Sequence, residues 1–164
     1  MSVPKAFTIS RIFKAPRELV FKMHTEPEHM AKWLGPPGST VIKADMDLRV
    51  GGSYHYGVRT QDGHEMWGKQ IYREILVPEK LVFVQSFSDR DGGLTRHPMS
   101  PSWPRQMLST VTFEDLGGTT KLTINWIPLD PDDAEADTFN NAQGNLAMGF
   151  KGSFDQLENY LAAF

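Results

Sequence analysis

From Ser39 to Pro128 the apolar residues fall on alternate positions, and beyond Asp130 they take up the spacing of a helix. That one change of period fixes most of what the chain can become. Val41 to Leu48, Ser53 to Thr60, Glu65 to Val77, Leu81 to Ser88, Gln106 to Glu114 and Thr119 to Pro128 read as strands. Turn residues separate them, among them Gln61-Asp62-Gly63-His64, Pro78-Glu79-Lys80 and Leu116-Gly117-Gly118. Asp130-Pro131-Asp132-Asp133 then reads as a helix start, with a capping carboxylate and a proline just inside. The helix is expected to run to about Ala163 with Leu146, Phe150, Phe154 (or Ser153), Leu157 and Leu161 on one face. The polar and glycine content between Asn140 and Asn145 predicts a kink or a late start there. A sheet this long must bury one face, and only the final helix is large enough to cover it.

Before the sheet the pattern is shorter-ranged. Phe7, Ile9, Ile12 and Phe13 make a first strand, and Ala15-Pro16 opens a helix that carries Leu19, Val20 and Met23 through His24. A second short helix, Glu28 to Trp33, stops at Gly35-Pro36-Pro37-Gly38. The expected architecture is α+β: a curved antiparallel sheet of about six or seven strands wrapped around a long C-terminal helix, in one domain over residues 1–164. Asp89 to Pro104 is the one long loop, a segment of the kind that serves as a lid or binding loop.

Composition narrows the function classes. With 164 residues the chain can bury a full core without covalent staples, and with no cysteine it has no disulfide or thiolate site. A cytoplasmic location is the expectation, since the N-terminus runs into patterned sequence with no apolar signal core. No stretch approaches the ~20 apolar residues that span a bilayer. A formal charge of -3, with Lys and Arg dispersed, argues against a nucleic-acid binder. The glycine pairs lack the Lys-Ser/Thr of a phosphate loop. Asp45 and Asp47 lack the further ligands of a calcium loop. No serine sits in a nucleophile elbow. No metal and no cofactor are expected. The informative excess is aromatic, with 10 Phe, 4 Trp and 4 Tyr beside 8 Met. Such side chains fill a core or line a pocket.

Several motifs in order carry a resemblance: Ala15-Pro16-Arg17-Glu18-Leu19-Val20-Phe21, Trp33-Leu34-Gly35-Pro36, Arg49-Val50-Gly51-Gly52, Gly68 through Ile75, Leu81-Val82-Phe83 and Ser109 through Glu114. Over nearly its whole length the chain resembles the bacterial branch of the SRPBCC (START-like, helix-grip) superfamily, in the group named for homology to the activator of the heat-shock-protein-90 ATPase. Thr95-Arg96-His97-Pro98-Met99 with Trp103-Pro104 resembles one bacterial subgroup, while Gly149-Phe150 departs from the usual Gly-Trp. The resemblance implies a helix-grip fold with a hydrophobic cavity. It leaves the activity open, because members include lipid carriers, polyketide cyclases and co-chaperones.

The candidate cavity residues are Trp33, Tyr54, Tyr56, Trp67, Tyr72, Phe83, Phe87, His97, Trp103, Arg105, Trp126, Phe150 and Phe154. Strand parity puts Tyr54, Tyr56 and Val58 opposite His55 and Arg59, and Trp67, Ile71 and Ile75 opposite Met66, Gln70 and Tyr72. Both faces carry aromatics, so parity leaves the inner face open. Each ring taken singly is more simply a core residue. Trp33 is expected to anchor the short helices, and Trp103 and His97 to sit on the long loop. His55, His64 and Glu65 flank one hairpin, a weak metal or acid–base signal, and His24 and His29 are not at metal spacing. Arg59, Gln70, Gln85, Arg105 and Asn125 could orient a ligand. The expected function is cofactor-independent binding of a small hydrophobic or amphipathic molecule. The alternatives are a cyclase- or hydrolase-type enzyme and a stress-related partner of a chaperone, the last suggested only by the family name. Homodimerisation is left open.

Overall fold

In the computed structural model, which describes residues 2–164 and leaves Met1 of the N-terminal segment outside, the change of period becomes a change of layer. The chain order is β1 (Phe7–Phe13), α1 (Arg17–Thr25), α2 (Pro27–Trp33), β2 (Thr40–Met46), β3 (Ser53–Arg59), β4 (Glu65–Leu76), β5 (Lys80–Ser88), β6 (Leu94–Thr95), β7 (Gln106–Asp115), β8 (Thr120–Pro128), α3 (Asp133–Asn141) and α4 (Gln143–Leu161). The strands make one antiparallel sheet in the order β1-β8-β7-β5-β4-β3-β2, with β6 paired to the end of β5. The fold is the helix-grip arrangement, a curved sheet folded about the C-terminal helix. The eighth strand, β6, lies inside the expected loop. Two residues are too few to show a period-two pattern.

β1 and β2 occupy opposite edges of the sheet. The α1–α2 pair therefore carries the chain across the inner face, burying Val20, Phe21, Met23, Met30 and Trp33 in the core. Pro16 sits just before the first helical residue, its carbonyl accepting from the Leu19 and Val20 amides. The β1–α1 corner is held by the buried Thr120 hydroxyl, which donates to the Ala15 carbonyl at 2.8 Å. Arg11 of β1 pairs with Asp155 of α4 at 2.7 Å, which ties the sheet edge to the covering helix.

The C-terminal helix is two helices, broken at Ala142. The cap of α3 is Asp132, not Asp130, and Pro131 lies outside the helix. Asp130 takes φ 45° to bring the chain into position. Asp132 accepts from the Glu135 amide and Glu135 accepts from the Asp132 amide, which is a complete capping box. On α4 the expected stripe faces inward: Phe154, Leu157 and Leu161 are buried, with Leu146 and Phe150 half-buried.

Register settles the face that parity left open. Tyr56 pairs with Gly68 and Val58 with Met66. Phe83 pairs with Ser109, and Ser109 in turn with Trp126. Tyr54, Tyr56, Gln70, Tyr72, Phe83, Ser109 and Trp126 therefore share one face by alternation and pairing, the face under α4. The expectation for Ile75 is corrected: the register shifts between Tyr72 and Glu74, and this bulge turns Ile75 inward onto the same core.

Candidate functional site

Between the inner face and α4 lies a cavity of about 680 Å³. It exists because the rings lining it are large and braced against one another. Phe150 meets Trp126 edge-on at 5.1 Å, stacks on Phe7 at 5.7 Å and lies 6.2 Å from Phe154. Trp126 is fixed in turn by its ring N–H, which donates to the buried Ser109 hydroxyl at 2.8 Å. Trp33 donates to the Met23 carbonyl at 3.0 Å, so it anchors α2 to α1 as well as forming part of the wall. Met30, Met66 and Met107 fill the gaps between rings.

The sheet wall and the α1 wall both carry polar groups. On the sheet, Gln70 donates to Gln85 at 3.0 Å and Gln85 donates to the Tyr56 hydroxyl at 2.8 Å. Tyr56 thus accepts one bond and keeps its own proton to give. Burial pushes its hydroxyl up to about 12, against the opposing effect of Gln85. On α1, His24 has its Nδ1 on the Val20 carbonyl at 2.9 Å and its ring 4.9 Å from Trp33. Burial lowers the imidazole to about 4, with the Val20 bond acting in the other direction, so the ring is neutral near pH 7. A carbonyl only accepts, so Nδ1 carries the proton. Nε2 is enclosed without a partner among the described residues.

The long loop closes one end. His97 packs on Phe87 at 4.9 Å and lies 6.3 Å from Trp103, which in turn lies 5.9 Å from Phe139 of α3. The loop is pinned to α3 at two further points. Arg96 bonds Glu135 at 3.3 Å, and Ser102 shares a hydroxyl–hydroxyl bond with Thr138 at 2.8 Å. Arg105 stands where the loop enters β7, two residues before Met107 and therefore on its side of the sheet.

Of the candidate residues, Trp33, Tyr56, Phe83, Phe87, His97, Trp103, Arg105, Trp126, Phe150 and Phe154 come together around the cavity. Tyr54 and Tyr72 do not reach it. They are buried in the core behind Tyr56, their hydroxyls without a partner among the described residues, and burial raises both above the ordinary phenol range. Trp67 touches the wall along β4, but its ring lies on the outer face. There it packs on His55 at 5.4 Å, donates to Glu65 and lies under the Arg90 guanidinium. That position needs Gly57, where an added Cβ would come within 2.7 Å of the Trp67 ring. Arg59 pairs with Glu65, and Asn125 donates to Thr8, both away from the cavity. His55 and His64 do not meet, since His55 binds the Asp89 carbonyl and His64 pairs with Asp62. Among the described residues no three His, Cys, Asp or Glu side chains converge as a metal site would require. The residue that metal spacing passed over is His24, and its helical offset of four from Val20 is the signal that would have placed it inside.

Fold and cavity together define a helix-grip domain. The model of the family described as Activator of Hsp90 ATPase homolog 1-like protein matches residues 14–162, and the chain belongs to that family. Solved structures share the fold at low identity. A protein from Mycobacterium smegmatis aligns at 22% identity and TM-score 0.76, over 97% of this chain and 91% of its own. One from Arthrobacter aurescens aligns at 23% and 0.77, over 97% and 87%. One from Chromobacterium violaceum aligns at 25% and 0.72, over 95% and 96%. No curated protein matches the sequence.

Proposed function

We propose that this protein binds a small hydrophobic or amphipathic molecule in the cavity beneath α4, without a cofactor. One observation carries the reading: a space of about 680 Å³, mostly apolar and lined by nine Phe, Trp and Tyr residues and three methionines, lies between the sheet and α4. That volume suits a drug-sized ligand. Affinity would come from burying apolar area, at roughly 25 cal/mol per Å² before ordering costs. The polar wall groups favour holding over turnover: Tyr56 is a donor, His24 has its unprotonated nitrogen enclosed, and among the described residues no carboxylate lines the space. The family description refers to an ATPase activator.

The test is titration with N-phenyl-1-naphthylamine, a neutral dye that brightens in apolar surroundings. We expect one saturable site, lost when Leu146→Trp fills the space from α4. Binding unchanged in that variant, or no binding to the parent protein, would reject the reading.

A further inference from the structure

The charge inventory of the cavity wall is one-sided. Among the described residues that line it there is no Asp, Glu or Lys, and Arg105 supplies the one formal charge. The chain as a whole carries -3, so this is a local inversion of sign. Arg105 is also unlike most arginines of the molecule. Six of the eight pair with a carboxylate at 3.7 Å or less, including Arg96 on the same loop. Arg105 has no ion pair or side-chain hydrogen bond within the described residues.

Two further groups of the wall, His97 and Tyr56, have a proton to donate. The Met99 amide donates to His97 Nδ1 at 3.0 Å, so in the neutral ring the proton is on Nε2 and that nitrogen is a donor. Tyr56 keeps a proton to donate, since its oxygen already accepts from Gln85. The Trp126 N–H is spent on Ser109. The loop that presents His97 and leads into Arg105 is fixed by Arg96–Glu135 and Ser102–Thr138, so its ordering is largely complete before a ligand arrives.

We propose that the cavity selects amphipathic monoanions, in the first instance carboxylates. The apolar body would lie among Trp126, Phe150 and Phe83, with the charged head on the Arg105 guanidinium at the loop end. One cation with no second beside it matches a head of single charge better than a phosphate ester. A guanidinium fork fits a carboxylate with two parallel bonds. This assignment rests on the ligand-binding reading above and deepens it.

The experiment compares two dyes that share an N-phenylnaphthylamine body, 1-anilinonaphthalene-8-sulfonate and neutral N-phenyl-1-naphthylamine, on the full chain, on Arg105→Gln and on Arg73→Gln as a surface control. Loss of a charge-assisted bond predicts that Arg105→Gln weakens the sulfonate about tenfold or more and leaves the neutral dye within about twofold. Arg73→Gln should change neither. Decanoate should displace the neutral dye at lower concentration than decanol from the parent protein, and this advantage should vanish in Arg105→Gln. If Arg105→Gln weakens both dyes alike, or leaves the sulfonate unchanged, or if decanol displaces as well as decanoate, the assignment of an anionic ligand fails while ligand binding stands. If the parent protein binds neither dye, the ligand-binding reading itself fails.

Discussion

Replacing Tyr54 by Phe should make this protein more stable, the reverse of what deleting a buried tyrosine hydroxyl usually does. Tyr54 is fully buried and its hydroxyl has no hydrogen-bond partner among the described residues. An enclosed, unpaired hydroxyl costs about 1–3 kcal/mol relative to water. Removing the oxygen returns that cost but leaves a small void and forfeits some dispersion contacts, a loss of about 0.5 kcal/mol on the usual cavity scale. The net gain is about 0.5–2.5 kcal/mol. For a chain of this size it raises Tm by about 2–4 °C per kcal/mol. Thr120→Val is the matched opposite: its buried hydroxyl donates to the Ala15 carbonyl at 2.8 Å. Losing that bond and stranding the carbonyl should cost about 2 kcal/mol. Urea unfolding at pH 7, followed by far-ultraviolet circular dichroism and tryptophan fluorescence, reads both shifts as changes in midpoint at constant slope. A Tyr54→Phe variant destabilised by 1 kcal/mol or more would show that the hydroxyl is satisfied in the folded protein, and would refute the reasoning.

Other outcomes follow from the same structure. His24 is held at about 4, below its ordinary 6.5. The unfolded chain therefore takes up a proton between those values that the folded one refuses. Stability should fall by up to roughly 3 kcal/mol as pH drops from 6.5 to 4, with no further loss from this group below that. His24→Gln should flatten the slope, and an unchanged slope would exclude His24 as its source. Asp132→Ala removes the capping box and should cost about 1 kcal/mol, seen as a lower Tm by calorimetry. Phe139→Ala, in a fully buried site against Trp103, should cost about 3–5 kcal/mol. Hydrogen exchange over residues 96–104 should quicken in the same variant, and unchanged protection there would show that the loop does not rest on α3.

Most of the fold was legible because its signals are local. Strand alternation, turn glycines and prolines, and the stripe from Leu146 to Leu161 each declare themselves within a few residues. What the chain could not declare was the inner face. Trp67 looks like Tyr56 in sequence, yet one ring lies outside over Gly57 while the other lies inside over Gly68, where a Cβ would run into the Tyr56 hydroxyl. Only strand register distinguishes the two cases, and register is a long-range property. The Ile75 inversion has the same origin, since a bulge costs one residue and leaves no mark in composition. Gln70 and Gln85 could be named as polar candidates. Their chain to Tyr56 joins three strands, and no spacing along one strand encodes it.

The topology also sets a timetable. Phe7 pairs with Trp126, so the first strand finds its partner only after most of the chain has been made, and α4 arrives later still. Until then the rings that will enclose the cavity face water on an unfinished sheet. Pairing across such a separation is slow, because the loop must close before its contacts are gained. An amphipathic molecule that reached the half-built sheet first would find the same rings uncovered, and α4 would then close over it. If the cavity takes up a ligand as proposed, capture during synthesis and capture from solution are two distinct routes to one complex.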